Sequence, residues 1–183
     1  ECTTFEQEAF DEALSRGALV VVSAGNDNDN ADGYSPASCY GVSTVVATDP
    51  YGYRASYSNY SAYADISAPG GDSSRYTETD GVLSTVDTSS SAPSGNYAYD
   101  WLNGTSMAAP HVTGVGSLML SVNSSLTPSQ MKGIMADTSS YFASDSVCRT
   151  QENCGAGIVS AYYAVKEAIR MLSVPKVAVI EYY

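Results

Sequence analysis

The chain has 183 residues, with 8 Lys plus Arg against 20 Asp plus Glu, giving a net charge of −12 and a pI near 4.1. The length suits one domain by the rough guide of ~150 residues each; a 44% hydrophobic content can build a core, and 15% charged residues are too few for a disordered acidic tail. No basic stripe exists to neutralise phosphates or bind an anionic membrane surface, and no run is long and apolar enough to span a bilayer, so neither nucleic acid nor a membrane is expected as a partner.

The opening Glu1-Cys2-Thr3-Thr4-Phe5-Glu6 has no basic region, no apolar core and no initial Met, so it reads as the start of a mature product or an excised segment. Thr3 and Glu6 have capping-box spacing, and the pattern predicts a helix over Thr3 to Ser15. Its expected apolar face is Phe5, Ala9, Phe10, Ala13 and Leu14, with Gly17 as the stop. Ala18 to Val22 is a short continuous apolar run, as in a strand buried on both faces. A helix followed directly by such a strand points to an α/β fold with a parallel sheet.

The strand ends in Ser23-Ala24-Gly25-Asn26, before a polar loop from Asp27 to Gly33. Asn28, Asn30, Asp32 and Gly33 superficially match an EF-hand loop, but its twelfth position is Cys39 rather than Glu, which favours a solvated acidic loop. Further strands are expected at Val42 to Ala47, Ala64 to Ser67 and Val82 to Thr85. Asp87 to Trp101 reads as a surface loop. Thr105 to Val122 is small and apolar almost all round, which predicts a buried helix. Thr127-Pro128 starts another helix with Met131, Ile134 and Met135 facing inward, and Cys148 to Cys154 brackets a short loop. Ser160 caps a last helix carrying Val165, Ala168, Ile169 and Leu172, which Pro175 stops, and Val177 to Tyr183 is a strand or tail.

The chemistry concentrates in Asn103-Gly104-Thr105-Ser106-Met107-Ala108-Ala109-Pro110-His111. A serine in the first turn of a buried helix sits at its positive end, among unpaired N–H groups. An acyl-transfer nucleophile needs that setting, though Thr105 or Ser106 capping a core helix gives the same pattern. His111 is the chain's one histidine. It follows Ser106 by roughly 500° of helical rotation and about 7.5 Å of rise, so its imidazole is badly placed to take the serine proton. The four cysteines lack CxxC spacing, which argues against zinc. They form either two disulfides, in keeping with an extracellular composition of only three lysines, or four buried thiols.

The string around Ser106 resembles the nucleophile motif of the subtilisin-like serine proteases. Val20 to Asn26, Tyr34 to Ser38, Arg54 to Tyr60, Ile66 to Gly70 and Leu83 to Thr85 resemble further family motifs in the same order. The resemblance runs from the first helix to about Leu172 and leaves 173–183 as a tail or extra strand. It implies a three-layer α/β/α fold with a mainly parallel sheet, of which residues 1–183 are the C-terminal portion. It also implies a secreted serine endopeptidase acting on polypeptide substrates. Ser106 matches the nucleophile and Asn26 the side-chain donor to the oxyanion, with the Ser106 N–H as second donor. Ser23, Ala24 and Gly25 match the side of the P1 pocket, and Ala37 and Ser38 its floor. Small residues and no acid there imply a broad or apolar preference. Met107 would pack beside the nucleophile as an oxidation liability.

The family's upstream aspartate and histidine motifs are not in this sequence. The resemblance therefore implies that a missing N-terminal part of the same domain supplies them, and that this chain alone is inactive. The alternative is a pseudoprotease that keeps the fold for binding or structure. Proteinase K-like members hold a structural calcium by one carboxylate and two backbone carbonyls, and the matching positions here are Asp65 and the carbonyls of Tyr40 and Val42. Four cysteines allow three pairings; resemblance to secreted bacterial members implies Cys2–Cys39 and Cys148–Cys154.

Overall fold

The computed structural model describes residues 1–75, 77–89, 95–151 and 153–173. Helix α1 spans Thr4–Ser15, entered by the expected capping box. The Glu6 carboxylate accepts from the Thr3 hydroxyl, the Thr3 N–H and the Ser35 hydroxyl, which together hold its pKa down to about 2. At the far end Gly17 takes φ +85° while Ala18 N–H bonds back to the Ala13 carbonyl, closing the last turn. Phe10 packs against Val22, Cys39 and Val42. Phe5 does not join this face and is 82% exposed. It lies nine residues before Leu14, about 900° of rotation, which puts it on the opposite side of the helix.

Strands β1 (Val21–Ser23), β2 (Ser43–Thr48) and β3 (Ile66–Pro69) form a parallel sheet in the order β1-β2-β3. Val22 pairs with Thr44, and Val45 with Ile66. Each strand starts later than the apolar runs indicate; for β1, Ala18 is still engaged in the helix stop and sheet bonding begins at the Val20 carbonyl. All six residues of β2 are buried, as the central strand of a two-sided layer requires.

On one face of the sheet lies α2 (Thr105–Val122), with α3 (Pro128–Asp137) and α5 (Ala161–Ser173) around it. Val45, Ala47 and Ile66 pack there against Ala108, Val112, Met119, Met131, Ile134 and Met135. Val46 points to the other face, toward Ala24, Phe142 and Cys154. Helix α2 is not buried all round: Thr105, Ala108, Val112, Val115, Gly116 and Met119 form the buried stripe, while Leu118 is 51% exposed. No described layer covers that outer side.

Two segments expected to be loops have regular structure. One holds strand β5 (Tyr97–Leu102), which pairs antiparallel with β4 (Val82–Asp87), where a strand is expected from Val82, and leads directly into α2. Leu83 pairs with Trp101, Thr85 with Tyr99 and Asp87 with Tyr97, so aromatic and β-branched residues stabilise a strand where the Ser, Pro and Gly content signals a loop. The segment Cys148 to Cys154 begins in helix α4 (Val147–Gln151), whose start is held by Cys148 N–H donating to the Ser146 hydroxyl. Disulfides join Cys2 to Cys39 and Cys148 to Cys154. The strand or tail expected at Val177 to Tyr183, and Pro175 before it, lie outside the described residues.

Candidate active site

The end of β1 and the start of α2 meet at one point. The Asn26 Oδ1 accepts from the Thr105 backbone N–H at 2.9 Å and from the Thr105 hydroxyl at 2.8 Å. The Thr105 hydroxyl in turn accepts from the Gly25 N–H at 3.2 Å. With its oxygen held twice, the Asn26 amide has one orientation, and its Nδ2 is the outward donor. That nitrogen lies beside Gly104, where a Cβ would be 3.8 Å from it.

Ser106 is exposed in the first turn of α2. Among the first N–H groups of this helix, Thr105 donates to Asn26, while Met107 and Ala108 both donate to the Gly104 carbonyl at 2.9 and 3.3 Å. The Ser106 N–H is left, among the described residues, as the one of these four without a partner, at the positive end of the helix. Gly104 makes the turn with φ +155°, in a region that a side chain disfavours. The site thus presents a hydroxyl flanked by a backbone donor and a fixed side-chain donor.

The surrounding loops are pinned by residues the sequence did not single out. Asn59 is fully buried. Its Oδ1 accepts from the Asp27 and Asp29 N–H groups at 2.9 and 3.0 Å, and its Nδ2 donates to the Ala24 carbonyl at 3.0 Å. Gly25, at φ +107°, is there because a Cβ would lie 2.3 Å from the Asn59 Nδ2. On the other side, the Gly70 carbonyl accepts from the Gly104 N–H at 3.0 Å and from the Tyr57 hydroxyl at 2.9 Å. Burial pushes the Tyr57 phenol up, with nearby Asp72 adding to it, so it stays a neutral donor. Asn59 and Tyr57 fall inside the motif Arg54 to Tyr60; their polarity between two strands is the signal that marks them.

His111 is exposed, and its Nδ1 lies 2.8 Å from the Met107 carbonyl, which turns the ring back along α2. Ser23, Ala24 and Gly25 sit next to Asn26, with Ala24 N–H bonded to the Val45 carbonyl. Ala37 packs against the cluster that holds Ala24, and with Ser38 it lines a cavity of about 480 Å³ together with Thr44, Tyr63, Asp65 and Lys132. The Ala37 carbonyl accepts from the Thr44 hydroxyl, and the Ser38 hydroxyl from the Cys2 N–H.

The oxygens expected to hold calcium are already paired with other groups. Asp65 Oδ1 lies 2.7 Å from the Lys132 ammonium, and Asp65 Oδ2 accepts from the Thr44 N–H. The Val42 carbonyl accepts from the same ammonium at 2.8 Å, and the Tyr40 carbonyl from the Gln7 side chain at 3.1 Å. Every oxygen of the set already faces an N–H donor, so the residues as arranged do not fit a divalent cation.

The comparisons with known proteins agree with this architecture. Residues 2–160 match the model of the subtilase family, a peptidase family. The extracellular protease of Xanthomonas campestris pv. campestris is 43% identical over 169 residues, covering 92% of this chain and 27% of that protein. Subtilisin Savinase of Lederbergia lenta is 34% identical over 160 residues, covering 87% of this chain and 51% of that protein. The solved structure of a protease from Pseudoalteromonas arctica superposes with a TM-score of 0.85 at 42% identity, covering 92% of this chain and 48% of that one. The chain therefore spans between about a quarter and a half of these relatives. With residues 2–160 matched by the family model and a relative 43% identical over 92% of the chain, this chain belongs to the subtilase family.

Proposed function

We propose that the chain is the nucleophile-bearing C-terminal portion of a serine endopeptidase domain of subtilisin type. The observation that carries this reading is the Asn26 amide, fixed by Thr105 with its Nδ2 outward beside an exposed Ser106 whose N–H is available. In this reading the Ser106 Oγ attacks the scissile carbonyl carbon. Its proton passes to a histidine from sequence outside this chain, since His111 is turned toward Met107. The carbonyl oxygen, now negative, is held by Asn26 Nδ2 and the Ser106 N–H, donors in place before charge develops. Collapse expels the amine with the proton returned by the same histidine, and water then hydrolyses the acyl-enzyme. Ser23, Ala24, Gly25, Ala37 and Ser38 are small and uncharged, and support a broad or apolar P1 preference. Calcium takes no part in these steps.

The relatives named extracellular proteases, and the two disulfides, support secretion. The test is labelling by a fluorophosphonate probe with the chain in its natural sequence context. The expected result is one adduct on Ser106, lost in Ser106→Ala. Absence of the adduct in that folded protein would turn the assignment to a pseudoprotease.

A further inference from the structure

We propose that the Lys132 ammonium is a resident cation that bridges the entrances of β2 and β3, in the place where a divalent metal would otherwise hold them. An ammonium has three N–H donors. Three acceptors face this one: Asp65 Oδ1 at 2.7 Å, the Val42 carbonyl at 2.8 Å and the Gly41 carbonyl at 3.5 Å. The first two distances are those of charge-assisted hydrogen bonds. A calcium ion bound to the same oxygens at its usual ~2.3–2.6 Å would have to share this small space with a positive charge. The two cations exclude one another.

The lysine is also held from behind. It projects from α3, whose Met131, Ile134 and Met135 are buried in the main core, so the helix carrying the charge is held by packing as well as by the ion pair. Its partners are fixed in turn: Asp65 Oδ2 takes the Thr44 N–H at 2.9 Å, and the Thr44 hydroxyl bonds the Ala37 carbonyl at 2.9 Å. A single chain of contacts thus runs from α3 through Asp65 and Thr44 to the segment bearing Ala37 and Ser38. A tethered side chain cannot dissociate, so this corner of the fold keeps its geometry whatever the calcium concentration.

The experiment uses the chain in its natural sequence context. Calcium stoichiometry is measured by isothermal titration for the parent and for Asp65→Asn, and thermal unfolding is followed in excess EGTA and in millimolar calcium chloride. Asp65→Asn is expected to bind as many calcium ions as the parent. Lys132→Met, which frees the oxygens, is expected to gain a calcium-dependent rise in Tm of about 5 °C beyond any rise in the parent. That extra rise should vanish in Lys132→Met/Asp65→Asn. Loss of one calcium in Asp65→Asn overturns the proposal, as does a calcium response in Lys132→Met equal to the parent's. If Lys132→Met does not fold, the stoichiometry of the parent against Asp65→Asn decides alone.

Discussion

Asn26 and Thr105, 79 residues apart in sequence, share two hydrogen bonds to one oxygen, 2.9 Å from the backbone nitrogen and 2.8 Å from the hydroxyl. The pair ties the end of a strand to the start of a helix and sets which way the amide of Asn26 faces. Removing the donor and releasing it should therefore be separable. On the proposed mechanism, Asn26→Ala is expected to lower kcat by ~10²–10³ with little change in KM, because the lost bond would form to charge that exists only in the transition state. Thr105→Val keeps the donor but loses one of its two restraints, and should lower kcat less, by about tenfold. Steady-state kinetics on a peptide substrate, with the chain in its natural context, measures both; equal losses would mean that Thr105 does more than orient.

Asn59 satisfies three backbone groups around that junction at once. Asn59→Ala orphans the Asp27 and Asp29 N–H groups and the Ala24 carbonyl, and should destabilise the fold by about 3 kcal/mol. The Asp27 and Asp29 groups can recover water, since both residues are exposed, which keeps the figure below three full desolvation penalties. Urea unfolding gives the value, and a loss under about 1 kcal/mol would show that water replaces the side chain.

The two disulfides should contribute unequally. Cys2–Cys39 closes a separation of 37 residues and Cys148–Cys154 one of 6. Chain entropy gives about 4 kcal/mol for the first and about 2 for the second. Paired Cys→Ser variants should follow that order in denaturant midpoint; the reverse order would point to local packing of the buried Cys154 as the larger effect.

Asp72 sets an acid limit. Burial acts to raise its pKa, but bonds from the Ser56 N–H at 2.6 Å and the Ser74 hydroxyl at 2.7 Å, with Arg75 nearby, outweigh it and hold the carboxylate below its ordinary 3.8. A carboxylate lowered in the folded state stabilises above its unfolded value, and that contribution is lost as pH falls through the lower folded value. Asp72→Asn should therefore unfold at lower urea than the parent at pH about 6, and the gap should narrow as the pH drops below about 4. A gap independent of pH would mean that the carboxylate charge is not what matters.

Much of this could be read locally. The capping box Thr3/Glu6 is a four-residue pattern whose hydrogen bonds close within one helical turn, and it is formed, as is the helix start at Thr127-Pro128. The string around Ser106 is equally local, and the family it indicates is the one the comparisons show. What was not legible depends on distant partners. Lys132 is an ordinary surface lysine in sequence, and only the fold delivers it to Val42 and Asp65. Asn59 is one polar residue among several, until Gly25 and Ala24 arrive beside it. Strand β5 was hidden because the Ser, Pro and Gly content of the sequence before it masks the alternation of Tyr97, Tyr99 and Trp101, which acquires meaning only opposite Leu83 and Thr85. Phe5 failed for the opposite reason: a helical window admitted it to a face from which its angle excludes it.

The anchoring of the loop after β1 has a consequence for how its amides trade protons with solvent. Asp27 and Asp29 lie in an exposed stretch, where backbone hydrogens ordinarily exchange as fast as local fraying allows. Theirs are locked onto the side chain of a residue that is 0% exposed. Release then requires the loop to lift off a side chain that is itself held in the interior. In deuterium these two positions should retain their hydrogens on the timescale of the central strand β2, an island of slow exchange on an otherwise fast surface.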